Sequence, residues 1–142
     1  MAEAVSRLHI VTEGTPQPQG STRVFMHAGK PKITTDNARL KPWRKHIVMA
    51  AWMAMGDVDW KTTEAPVLVS LSFAMPRGKT VKRRWHTVKP DIDKLTRGVL
   101  DALTTAEVYR DDSQVIALTV TKFYAEVDQP GVCIHVMEVE SQ

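Results

Sequence analysis

The stretch Pro66–Ala74, PVLVSLSFA, alternates so that Val67, Val69, Leu71 and Phe73 fall on one side of an extended chain. A two-residue period sustained this long predicts a β-strand with one buried face. On its C-terminal side a basic loop leads into a predicted helix from Asp93 to Thr105, with Ile92, Leu95, Val99 and Leu103 as its apolar line. Two further strands are expected at Gln114–Tyr124 and Val132–Val139, and the turn-forming EVDQPG between them predicts a hairpin.

On the N-terminal side, Trp43, Ile47, Ala50, Ala51 and Ala54 recur at helical spacing. They predict a helix from near Asn37, or from Lys41, to Met55, with Pro42 in its first turn and Gly56 as its terminator. Before it, EGTPQPQGSTRVFMHAGKPKITT (Glu13–Thr35) reads as a loop and a loose hairpin carrying Arg23, Lys30 and Lys32. Leu8–Val11 reads as a first strand. The order β, hairpin, α, β, α, β, β predicts an α+β fold: a small mixed sheet with two main helices packed on it, in a single domain over residues 1–142.

At 142 residues, 43% hydrophobic and 25% charged, the composition excludes an extended disordered chain. Neither a secretory signal nor a long apolar segment is visible, which predicts a cytoplasmic protein with no membrane partner. The lone Cys133 has no partner for an internal disulfide. It is expected as a buried strand residue in a reducing compartment. The five histidines show no metal-ligand spacing in sequence.

The net charge of +3 is modest but unevenly placed. From Arg77 to Lys89 there are six Lys or Arg residues and no acid, followed at once by Asp91 and Asp93 in KPDIDKL. Local cationic charge next to clustered aspartates points to an anionic partner, nucleic acid first. Pro90 biases Lys89 to an extended conformation and places Asp91 at the loop–helix junction. One aspartate there satisfies a helix N-cap; two invite either a surface ion pair with Lys89 or Lys94, or a metal site. Asp93, Arg97 and Asp101 follow at four-residue intervals along one helix stripe, and Asp111–Asp112 precede the next strand. By spacing alone these remain either a solvated charge ladder and a turn, or ligands for Mg²⁺, which prefers carboxylate and water oxygens. In the basic loop, Lys82, Arg83, Arg84 and Lys89 suit phosphate contacts. Trp85 either stacks on an unpaired base or folds back onto the core.

The segment KPDIDKLTRGVLDALTTAEVYRDDSQV (Lys89–Val115) resembles the central motif of the RusA family of Holliday-junction resolvases: D-x-D-N-L, a basic residue, D-A-L, then D-D-x-Q-V. EGTPQPQGSTRVF also resembles the Gly/Pro-rich segment after that family's first strand. The resemblance implies a homodimeric, Mg²⁺-dependent endonuclease (Mn²⁺ a possible substitute) that resolves Holliday junctions in recombination and repair. Asp91, Asp93 and Asp112 match its metal-binding acids and Arg97 the position of its catalytic lysine. Asp101 and Asp111 match secondary acids. Lys94 stands where the family usually has Asn, and with Lys82, Arg83, Arg84, Trp85 and Lys89 it is an expected DNA contact. Arg97 keeps the charge of lysine but is bidentate and always protonated, so it suits a phosphate clamp and not a proton donor. Two alternatives follow: a nuclease acting mainly on forks and flaps, and a branched-DNA-binding protein weakened in cleavage by Lys94 and Arg97.

Overall fold

The structure, a computed structural model, describes residues 6–20, 23–34, 37–126 and 129–140. In chain order the elements are β1 (Arg7–Glu13), β2 (Arg23–His27), β3 (Lys30–Thr34), α1 (Leu40–Val58), β4 (Val67–Met75), α2 (Ile92–Thr105), β5 (Val115–Tyr124) and β6 (Gly131–Glu138). The expected α+β architecture is present. A four-stranded mixed sheet runs in the order β1-β6-β4-β5, and β2–β3 form a separate antiparallel hairpin. The Arg23 side chain lies outside the described residues.

The alternation of PVLVSLSFA decides which strand is central. Val67, Val69, Leu71, Phe73 and Met75 are each at most 2% exposed, and burying each contributes about 1.5–3 kcal/mol. That load needs cover from both helices and a sheet neighbour on each side. β4 therefore pairs antiparallel with β6 and parallel with β5. The expected β5–β6 hairpin is thus incorrect. The two strands flank β4 without touching, and their connection crosses the end of β4, where Ala125 N–H bonds Met75 O at 2.8 Å. Local turn chemistry favoured adjacency in sequence; burial of β4 overrode it.

α2 lays Leu95, Val99 and Leu103, all fully buried, on the sheet. Ile92, at 39% exposed, stands above the core instead of extending the line. Gly98 lets α1 come close, since a Cβ there would meet Leu40 Cδ1 at 3.4 Å. In α1, Trp43, Ile47 and Ala51 face the core as spaced. The helix runs through Gly56 and ends at Asp59, whose left-handed backbone (φ 53°) closes the last turn. Trp52 remains 57% exposed, its indole N–H bonded to Ala106 O at 3.2 Å. Among the described residues no helix is long and apolar enough to cross a membrane.

Candidate active site

Because β1 and β4 are both antiparallel to β6, and β5 is parallel to β4, three strands point the same way. Their C-terminal ends, Glu13, Met75 and Tyr124, open into loops at one end of the sheet. Ligands of α/β sheets gather at such strand ends. The 14–20 loop is fastened there: Gln19 N–H bonds Lys94 O at 3.0 Å and its side-chain amide donates to Asp101, while Asn37 Nδ2 donates to Gln17 Oε1 at 3.1 Å.

The basic loop is folded against β5. The Arg77 guanidinium donates to Arg83 O at 2.9 Å and lies 4.7 Å from the centre of the Tyr124 ring. Arg83 Nη1 donates to Tyr124 Oη at 2.8 Å. Lys122 Nζ donates to Val88 O at 2.8 Å and Pro90 O at 2.7 Å, tying the residues just before α2 to the strand. His86 is buried edge-on to Tyr124, and burial, then the charges of Lys122 and Arg83, push its pKa down. Trp85 is not part of the core: it is 61% exposed, with the Arg84 guanidinium 5.0 Å from its ring centre. Lys82, Arg83, Arg84 and Lys89 are exposed beside it.

Asp91 is the N-cap residue of α2 and Asp93 lies in its first turn, yet no side-chain hydrogen bond caps the helix. Capping therefore leaves both carboxylates free. Lys94 Nζ stands 3.6 Å from Asp91 Oδ2, in a half-exposed pair that contributes little to stability. Asp91 borders two concavities. One, of about 410 Å³, is lined by Gln17, Asn37, Lys89 and Lys94; the other, of about 770 Å³, adds Asp93, His86 and Lys122. Arg97 is exposed one turn further along α2. Asp101 is drawn under the 14–20 loop by Gln19 and so positions that loop.

Asp111 and Asp112 stand at the other end of the molecule. The first residue of β5, Val115, pairs with Val67, the first residue of β4, whereas the basic loop leaves the far end of β4. α2, 14 residues and about 21 Å long, runs between the two ends. Asp111 caps the short 3₁₀ turn Asp112–Gln114 by accepting from Ser113 N–H at 2.9 Å, and the Ser113 side chain first, then this N–H, lowers its pKa. Gln114 completes that cap and donates to Thr63 O and Ala65 O, at 3.0 and 2.9 Å. Tyr109 has its pKa raised by burial, with Asp112, Asp101 and Asp111 adding to the effect. Among the described residues, Asp91, Asp93 and Asp112 do not gather within metal-binding reach of one another in a single chain.

Lys122, Tyr124, Gln19 and Asn37 were not legible as site residues from sequence. Lys122 is one charge in an otherwise uncharged strand, and only the parallel pairing of β4 and β5 aims it at the loop before α2. The sole hint for Gln19 is its place in the Gln/Pro-rich PQPQG.

A cationic loop with an exposed tryptophan thus lies next to two uncapped carboxylates at the head of α2. The chain belongs to the RusA family: the family model "Endodeoxyribonuclease RusA" matches residues 13–137. This is a family of Holliday-junction-resolving endodeoxyribonucleases that act on branched DNA and generally use a divalent metal. The chain is also 31% identical over 140 residues to the "Uncharacterized protein YqaN" of Bacillus subtilis (strain 168), a match covering 90% of this chain and 94% of that protein.

Proposed function

We propose that this protein is a homodimeric, Mg²⁺-dependent endonuclease of the cytoplasm that resolves Holliday junctions by paired incisions. The observation that carries the reading is the pair Asp91 and Asp93, left uncapped at the head of α2 between two concavities and beside the basic loop. The donors are carboxylate oxygens in an open setting that admits water, which suits Mg²⁺, with Mn²⁺ as a substitute. When bound, the ion supplies polarisation of the scissile phosphodiester and a lower pKa for the attacking water.

The chain's own residues do the rest. Lys82, Arg83, Arg84 and Lys89 hold phosphates, and Trp85 stacks on a base unpaired at the branch. Arg97 faces the negative charge that builds on phosphorus and steadies it. Lys94 holds Asp91 until substrate arrives and then turns to a phosphate. Water adds to phosphorus in line while the P–O3′ bond breaks, leaving a 5′-phosphate and a 3′-hydroxyl.

Asp112 joins this site through a second copy. β5 is an edge strand, with Ile116 61% and Leu118 43% exposed, the kind of edge that pairs with another chain unless blocked. Antiparallel pairing of β5 with its two-fold mate would set the start of one β5 beside the end of the other. The partner's Asp112 then approaches Asp91 and Asp93, and two equivalent sites face the two-fold-symmetric junction.

Labelled four-way junction, fork and duplex, with and without Mg²⁺, test the reading. Mg²⁺-dependent cutting confined to the junction is the expected result. Equal cutting of forks would favour a general branched-DNA nuclease, and binding without cutting a DNA-binding protein.

A further inference from the structure

The face of the sheet turned away from the helices carries a second cluster of ligand-type side chains, unrelated to the aspartates. Alternation in β6 sends Val132, Ile134 and Val136 into the core and Cys133 and His135 outward. Cys133 is therefore not the core residue that its apolar surroundings suggested; it is half-buried on the outer face. β1 pairs with β6 so that His9 lies opposite His135 and Val11 opposite Cys133. The spacing of 124 residues between His9 and Cys133 hid this grouping; strand pairing creates it.

The donor atoms are clustered, but the stacked rings hold their in-plane lone pairs nearly parallel, so one imidazole must rotate for both to face a common ion. The His9 and His135 rings stack with centroids 4.2 Å apart and planes 9° from parallel. Cys133 Sγ lies 3.0 Å from His9 Nε2 and 3.8 Å from His135 Nε2. One donor atom from each residue falls within 4.8 Å of the other two. Around a tetrahedral zinc ion, a nitrogen and a sulfur ligand stand about 3.6 Å apart, given bonds of about 2.1 and 2.3 Å. Ser70 and Ser72 of β4, opposite His135 and Cys133, keep the adjoining sheet surface low. Two imidazoles and a thiol are borderline-to-soft donors, which prefer zinc-like ions over Mg²⁺.

We propose that His9, Cys133 and His135 form a binding site for Zn²⁺ or a closely similar late transition-metal ion, with the fourth position open to water. Binding displaces the Cys133 thiol proton to solvent. The site joins the edge strand β1 to its sheet neighbour β6, so its role is to fasten β1. β1 in turn leads into the 14–20 loop that contacts Lys94 and Asp101. This proposal does not depend on the nuclease reading, because its donors and its readout are separate from the aspartate site.

Titrating the metal-free full chain with Co²⁺, then displacing it with Zn²⁺, tests the proposal. One equivalent per chain should bind with a thiolate-to-cobalt absorption band, and Zn²⁺ should raise the melting temperature. Cys133→Ser should abolish the band, and His9→Gln should weaken Zn²⁺ binding at least tenfold, with unchanged far-ultraviolet circular dichroism in both variants. Asp91→Asn should bind zinc as the parent does. No stoichiometric binding by the parent, binding as tight as the parent's in Cys133→Ser or Cys133→Ala, or loss of zinc in Asp91→Asn would each overturn it.

Discussion

Asp93 stands in the first turn of α2 and Asp112 in the short 3₁₀ turn before β5, and the two do not come within metal-binding reach of one another in a single chain. The parallel return of β5 enforces this separation, because it brings the chain back to the start of β4 before β5 begins. If both carboxylates serve one reaction, they come from two chains.

The uncapped carboxylates at the head of α2 set the first prediction. Asp91→Asn and Asp93→Asn each keep side-chain size and remove charge from groups that cap nothing. Cleavage of a four-way junction should fall about 10²-fold or more in each, with junction affinity in the absence of metal unchanged or tighter. Arg97→Ala should cost about 10²-fold in cleavage, and Arg97→Lys should retain most of it. Single-turnover rates and gel-shift titrations measure the two effects separately.

A second prediction concerns Lys122, whose ammonium holds two carbonyls of the basic loop. Lys122→Met keeps the aliphatic stem and removes both charge-assisted bonds. Urea denaturation should show a loss of about 1–2 kcal/mol. Cleavage should fall mainly through the catalytic rate, since Asp91 follows directly on the tethered Pro90.

How the basic loop meets DNA yields a third. Arg84→Ala should lower the slope of log affinity against log salt by about one, for duplex and junction alike. Trp85→Ala should weaken junction binding by about 1–3 kcal/mol while leaving duplex binding nearly intact, because only the branch offers an unstacked base. Equal losses on both DNAs would remove the stacking role.

For pH, His86 gives a definite sign. Its folded-state pKa lies below the ordinary value of about 6.5, through burial first and then Lys122 and Arg83. The unfolded chain then binds more protons below that pH, so stability is full above about 6.5 and declines as pH falls. His86→Phe should flatten this decline, as measured by urea denaturation from pH 7.5 to 5.

What the sequence made legible follows the range of the forces involved. Strict alternation in β4 and the 3.6-residue line Leu95, Val99 and Leu103 report burial directly, and both elements stand where expected. Pairing partners are a non-local choice. EVDQPG carries every local mark of a hairpin turn, yet nothing in it encodes that β4 must lie between β5 and β6. The same blindness hid Lys122 from the site, since strand pairing is what carries it to the carbonyls of the loop before α2, and His9 from Cys133, which meet across the β1–β6 pair. Asp91, Asp93 and the basic loop were legible because they are contiguous. The position of Asp112 relative to them was not, since it depends on the direction in which β5 returns.

The most direct test of the two-chain site is complementation between Asp93→Asn and Asp112→Asn chains, each inactive alone. Mixed dimers should regain one intact site, assembled from the Asp91 and Asp93 of one chain and the Asp112 of its partner. Subunit exchange, verified by mass, should therefore restore Mg²⁺-dependent nicking of a labelled junction. If exchange is complete and nicking stays at the level of the separate variants, each site is built within one chain and the account is contradicted.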